Sequence, residues 1–164
     1  MVTARRQETV DIGTVHYNID HSRIRTYPRV TNEVYTVNTH ANPNVFGTWT
    51  ACIPINTCTR AYIITGVKIE TADASTTYLL QFACCDPPTD DRIVGEYRFA
   101  VGTGLAARLP VSPVKVRSTV IAANLGVWAR LMGSQGGKTI TLSLGVTSHK
   151  ETSYDPSPTN SWPW

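Results

Sequence analysis

The sequence predicts an all-β protein, an antiparallel β-sandwich of jelly-roll-like character. Three observations carry this. Six apolar, β-branched runs follow one another over 62–70, 77–85, 92–101, 114–122, 125–132 and 138–147. Turn-forming residues separate them, and no helical periodicity interrupts them. Thr and Val are abundant along the runs, and both suit a pleated, half-buried surface better than a helix. With 164 residues, the chain is long enough to bury a core as one domain with extensions.

The elements divide the chain into three parts. Residues 1–61 read as an extended N-terminal arm or as edge strands of the same sandwich. Strand candidates there are 9–19, 23–26 and 33–38, with Pro28, Asn32, Asn42-Pro43-Asn44 and Gly47 between them. Residues 62–149 form the sandwich core. The first run, 62–70, places Ile63, Val67 and Ile69 against Ile64, with a bulge expected at Gly66. Ala72–Ser75 reads as a hairpin-like turn into 77–85. The loop Asp86-Pro87-Pro88-Thr89-Asp90-Asp91 is polar and stiffened by proline, which cannot continue a central strand. Gly102-Thr103-Gly104 turns the chain after 92–101, and a longer crossover with two prolines leads to 114–122. In 125–132, Val127, Ala129 and Leu131 share one face and Trp128, Arg130 and Met132 the other. Both faces are partly apolar, as in a central strand. A glycine-rich turn, 133–137, is expected to close a hairpin with 138–147. There Ile140, Leu142, Leu144 and Val146 face inward and Thr139, Thr141, Ser143 and Thr147 outward. Residues 150–164 form a tail that holds three prolines in its last ten residues. Its Tyr154, Trp162 and Trp164 are costly to leave in water, so the tail is expected to dock into a groove, on its own domain or on a neighbour.

Composition limits the function. Charged residues make up 16% of the chain, against about 25% in ordinary globular proteins, which suggests that more surface than usual meets other protein. The net charge of +3, with eleven arginines and four lysines, is too small and dispersed to imply direct nucleic-acid binding. No secretory leader, membrane-spanning run or Asn-x-Ser/Thr sequon is expected from the sequence.

Local motifs offer little chemistry. Gly133-Ser-Gln-Gly-Gly-Lys138-Thr139 superficially suggests a phosphate-binding loop. That motif wants its first Gly where Met132 stands, and a helix where a strand follows. His16, His21, His40 and His149 show no metal-ligand spacing. Asp86, Asp90 and Asp91 lack the Gly and terminal Glu of a calcium loop. No Gly-x-Ser-x-Gly elbow is present. No cofactor, metal or catalytic residue is expected. The cysteines are Cys52, Cys58, Cys84 and Cys85, with no Cys-x-x-Cys pair. Cys52 and Cys58 are spaced to close a small disulfide loop. Cys84 and Cys85, adjacent in a strand, are expected on opposite faces, and the outward thiols are placed to cross-link subunits in oxidising surroundings. The alternative is four free thiols.

The order of parts over residues 62–149 resembles that of β-sandwich virion proteins of tailed bacteriophages, of the head decoration or cement type. It runs from Ile63-Ile-Thr-Gly-Val-Lys-Ile to Tyr78-Leu-Leu-Gln-Phe. The acidic proline loop and Ile93-Val-Gly-Glu-Tyr-Arg-Phe come next. Leu125-Gly-Val-Trp-Ala-Arg-Leu then meets a Gly-rich turn and Thr139-Ile-Thr-Leu-Ser-Leu-Gly-Val. The resemblance implies a jelly-roll-like fold and a non-enzymatic structural role in a virion made in the host cytoplasm. It also implies dimers or trimers, with the major capsid protein or other virion proteins as partners. Tyr154, Trp162 and Trp164 are then the expected interface anchors. Two other classes remain open. One is a carbohydrate- or receptor-binding sandwich of a tail fibre, using Trp49, Trp128 and Tyr97. The other is a jelly-roll enzyme with a metal site assembled only in three dimensions.

Overall fold

The computed structural model describes residues 24–30, 32–102 and 113–148. They form two antiparallel sheets. The strands are β1 (Ile24–Tyr27), β2 (Tyr35–Asn38), β3 (Thr50–Ile53), β4 (Tyr62–Ala72), β5 (Thr77–Cys84), β6 (Ile93–Ala100), β7 (Val114–Lys115), β8 (Val127–Gly133) and β9 (Thr139–Ser148). One sheet runs β1-β9-β4-β7, with β2 also on β9; the other runs β3-β8-β5-β6.

Alternation assigns the faces of β8 and β9 as the sequence predicts, but β4 is corrected: Ile64, not Ile63, joins Val67 and Ile69 in the core, because the ladder shift between Ile64 and Gly66 changes the phase of alternation. Ile140, Leu142, Leu144 and Val146 of β9 pack inward with Tyr62, Ile64, Val67 and Ile69 of β4. From the opposite sheet they meet Tyr78, Leu80 and Phe82 of β5 and Val127, Ala129 and Leu131 of β8. Fully burying one such aliphatic side chain is worth about 1.5–3 kcal/mol. The inward face of β4 continues past its bulge, where the ladder with β9 shifts between Ile64 and Gly66. β8 lies between β3 and β5, and the loop bearing Phe46 and Trp49 lies over its outward face.

Within the first 61 residues, the candidates at 23–26 and 33–38 correspond to β1 and β2. The candidate at 9–19 lies outside the described residues. β3 was not expected: only Ala51, Cys52 and Ile53 mark it, and Pro54 ends it. All three are sandwich strands.

Two expectations are corrected by the sheet order. The turns at 72–75 and 133–137 are not hairpins. Each carries the chain from one sheet to the other, since β4 and β9 belong to one sheet and β5 and β8 to the other. Of consecutive strands, only β5 and β6 pair, through the proline loop. The glycines at 133–137 serve close backbone approach: a Cβ on Gly136 would sit 1.9 Å from the Ala41 carbonyl oxygen. Gly137 takes a left-handed φ of 64°, which glycine adopts without a steric cost.

The run 114–122 is also corrected. Only Val114–Lys115 forms a regular ladder with β4; single backbone bonds from Val116 to Thr65 and from Ser118 to Ile64 follow, and a bridge joins Ile121 to Tyr62. The reason lies at Ser118 and Thr119. The Ser118 hydroxyl accepts the Ile64 amide at 2.9 Å, in place of a backbone acceptor. The Thr119 amide turns to the other sheet and donates to the Val94 carbonyl at 2.9 Å. The irregular segment thus ties the two sheets together at one side.

Candidate docking groove

A groove on the described surface arises from how β1 and β2 share one edge of β9. Tyr27 lies opposite Leu144 and Tyr35 opposite Leu142. The two short strands therefore continue a single line, and only the Ser143 position is skipped. Residues 28–30 and 32–34 leave the ladder there and lie beside the outward face of the sheet. Pro28, which lacks a backbone N–H and so cannot donate to the ladder, begins the departure.

Between these residues and the sheet lies the groove, of about 920 Å³, walled by Ile24, Arg25, Arg29, Val30, Glu33 and Val34 and floored by Lys68, Glu70 and Ser143. Three of the wall residues are aliphatic side chains left in water: Ile24 is 65% exposed, Val30 51% and Val34 43%. Scattered single apolar residues are normal on a surface; here three of them line one groove together with charged side chains. The floor is ordered. Lys68 Nζ lies 2.7 Å from a Glu70 oxygen, and the Ser143 hydroxyl donates to Glu70 Oε1 at 2.9 Å. The lysine bond, helped by the serine, holds the Glu70 carboxyl below its ordinary range against a smaller opposing effect of burial. Arg25, Arg29 and Lys68 face Glu33 and Glu70, so both signs of charge flank the aliphatic wall. Such a site can hold an extended segment through side-chain burial and paired polar contacts.

Part of the outward face of the other sheet is covered by loops. The Arg130 guanidinium lies between two rings, 4.3 Å from the Phe46 centroid and 4.3 Å from the Trp49 centroid. Its Nε donates to Gln81 Oε1 at 2.8 Å, and a terminal nitrogen meets Asp90 at 2.9 Å. Gln81 in turn donates to Glu96. One side chain thus fastens the loop before β3 and the proline loop onto the sheet. Its binding partners come from three distant stretches, so the sequence shows only an outward Arg beside an outward Trp.

The residues singled out in the sequence are distributed as follows. Trp49 and Trp128 lie toward the outer face of the β3-β8-β5-β6 sheet. Tyr97 does not join them: it pairs with the inward-facing Leu80 and stacks on Phe99 at 5.4 Å, so the three aromatics form no common platform. Asp90 is committed to Arg130. Asp91 accepts from the Thr89 hydroxyl, which lowers its carboxyl pKa. Among the described residues, no three His, Cys, Asp or Glu side chains gather as metal ligands would. His40 accepts the Asn42 amide at 3.0 Å. His16, His21, His149, Tyr154, Trp162 and Trp164 lie outside the described residues.

The four cysteines are free thiols. Cys52 is buried beside the Thr50 carbonyl at 3.7 Å, and burial pushes its thiol pKa up to about 12. Cys58 is buried beside the Tyr27 hydroxyl at 3.6 Å. Cys84 and Cys85 depart from the expected opposite faces: their sulfurs are 3.5 Å apart. The strand ends at Cys84, and Cys85, at φ 79°, turns back.

No family model matches the chain, and no curated protein matches it. Among solved structures, it is similar to the Clostridium thermocellum N-terminal endo-1,4-beta-D-xylanase 10B, its CBM22-1 and GH10 modules complexed with xylohexaose. The identity is 10%, the TM-score 0.28, and the match covers 85% of this chain and 28% of that chain.

Proposed function

We propose that the chain is a non-catalytic structural protein of a virus particle, of the bacteriophage head decoration or cement type, which docks on the capsid lattice and reinforces it. The observation that carries this reading is the groove beside the connection between β1 and β2. Its aliphatic side chains, exposed beside paired charges, have the composition of a site for an extended protein segment: apolar anchors inside a polar rim. The partner is the major capsid protein or another virion protein, or a neighbouring copy in a dimer or trimer. The tail residues Tyr154, Trp162 and Trp164 are the anchors such a copy would offer.

Two further features support the reading. With β1 and β2 counted as one interrupted strand, the sheets read 1-8-3-6 and 2-7-4-5. That is the order expected of a jelly roll, an architecture found in viral capsid and lectin domains. The fold analogy raises the expectation without assigning the role. A rigid sandwich with several weak contacts also suits a lattice, where each added contact acts at high effective concentration.

The test uses particles assembled without this protein. Purified chain is added, the particles are sedimented, and their thermal rupture temperature is measured. Binding with a raised rupture temperature is expected, and loss of both is expected in the Val30→Asp/Val34→Asp variant. Wild-type chain that stays in the supernatant, or a double variant that binds as well as wild type, would overturn the proposal.

A further inference from the structure

The end of β5 carries two adjacent thiols that the particle role does not use. Cys84 closes the strand opposite the inward-facing Val127. In a continuing strand, Cys85 would point to the other face. Instead it takes φ 79°, a region uncommon for non-glycine residues. The result is a pair of sulfurs 3.5 Å apart. Both residues are half-buried, whereas Cys52 and Cys58 are 1% and 8% exposed and engaged elsewhere.

We propose that Cys84 and Cys85 form a preorganised dithiol site that grips a thiophilic centre through both sulfurs, a monosubstituted trivalent arsenical being the ligand it fits. A centre about 2.3 Å from each sulfur, the length of a zinc–thiolate bond, would subtend an angle of about 100° across the observed 3.5 Å. That is the angle of an open, pyramidal three-coordinate centre. Closure to a disulfide fits less well. Disulfide-linked residues usually have Cα atoms about 4.4–6.8 Å apart, and neighbours across a trans peptide are held about 3.8 Å apart. Two sulfurs also fall short of the four ligands of a structural zinc site. They match a centre that brings its own third substituent.

The reaction balances without an oxidant. An organic arsenoxide meets two thiols; two As–S bonds form as two S–H bonds and the arsenic–oxygen double bond break. The oxygen leaves as water with both thiol protons, and arsenic stays trivalent.

Phenylarsine oxide added to the folded full-length protein tests the site, read by intact mass and then by tryptic mapping. A single adduct is expected that survives excess monothiol and is removed by 2,3-dimercaptopropanol. It should map to the tryptic peptide 69–92, which holds Cys84 and Cys85, and not to 30–60, which holds Cys52 and Cys58. Cys84→Ser and Cys85→Ser, checked for native circular dichroism, should each lower retention at least tenfold. An adduct on 30–60, no adduct on the folded wild type, or undiminished retention in either folded variant would overturn the proposal. Should a variant fail to fold, the wild-type map alone decides.

Discussion

Replacing Arg130 by Ala should be among the most destabilising single changes away from the apolar core. The guanidinium is sandwiched between Phe46 and Trp49, and its side chain is only 14% exposed. A cation–π contact is worth about 0.5–1 kcal/mol when exposed and about 2 when desolvated, so two contacts at a largely covered position contribute about 2–3 kcal/mol. Removing Arg130 also leaves Gln81 Oε1 without this donor at a residue 6% exposed, a further cost of about 1 kcal/mol or more. The Asp90 contact adds little, because that carboxylate is 77% exposed and such pairs are worth about 0–1 kcal/mol. The expected loss is about 3–4 kcal/mol. Urea unfolding followed by tryptophan fluorescence measures it, as a lower midpoint at unchanged slope. Asp90→Ala should cost under about 1 kcal/mol, and Arg130→Lys should recover only part of the loss, because lysine lacks the planar fork that stacks and bonds at once. A loss below about 1 kcal/mol for Arg130→Ala would refute the view that this side chain fastens the two loops.

The glycine turn between β8 and β9 offers a paired test. Gly136→Ala should destabilise by several kcal/mol, on the order of a severe core mutation, because its Cβ would collide with the Ala41 backbone. Gly137→Ala, with open space around it, should cost only about 1 kcal/mol for its left-handed φ; equal losses in thermal melts would contradict this. Glu70 should give a pH signature. Its folded pKa is depressed, so its contribution is present above the unfolded value of about 4.3 and is lost as pH falls through the folded value. Glu70→Gln should therefore flatten the acid limb of a stability–pH profile, and an unchanged limb would count against the Lys68–Glu70–Ser143 network. Ser118→Ala should cost about 1–3 kcal/mol by removing the acceptor of the buried Ile64 amide. Hydrogen exchange at Ile64 should accelerate, and unchanged protection would show that another acceptor serves it. Deleting residues 152–164 should lower occupancy on particles while leaving the sandwich's melting temperature in place; full occupancy would remove the tail from the docking reading.

Alternation made the faces legible. Ile140 to Val146 and Val127 to Leu131 could be placed inward from their spacing alone, because side chains in a strand alternate with a period of two. Sheet membership was not legible, because that same period is identical whether the next strand pairs alongside or crosses the core. At 72–75 and 133–137, a hairpin and a crossing between sheets therefore look alike in sequence. The irregular course of 114–122 depends on one hydroxyl, Ser118, standing in for a backbone group. The groove was hidden because it follows from register: nothing near Pro28 says that Tyr27 and Tyr35 meet positions on β9 that flank a single residue. The Arg130 cluster joins Phe46, Trp49, Gln81 and Asp90, whose meeting is decided by the fold. The Cys84–Cys85 contact turns on one backbone angle.

The two-part edge built by β1 and β2 has an evolutionary consequence. Pairing with β9 is fixed on both sides of the connection, by Tyr27 and by Tyr35, so the ladder closes whatever the length of chain between them. Substitutions or insertions there change the wall of the groove without disturbing core alternation, as surface loops on rigid scaffolds generally allow. The groove's wall can drift in this protein while its architecture stays put, and the same position is a natural place to graft a foreign peptide.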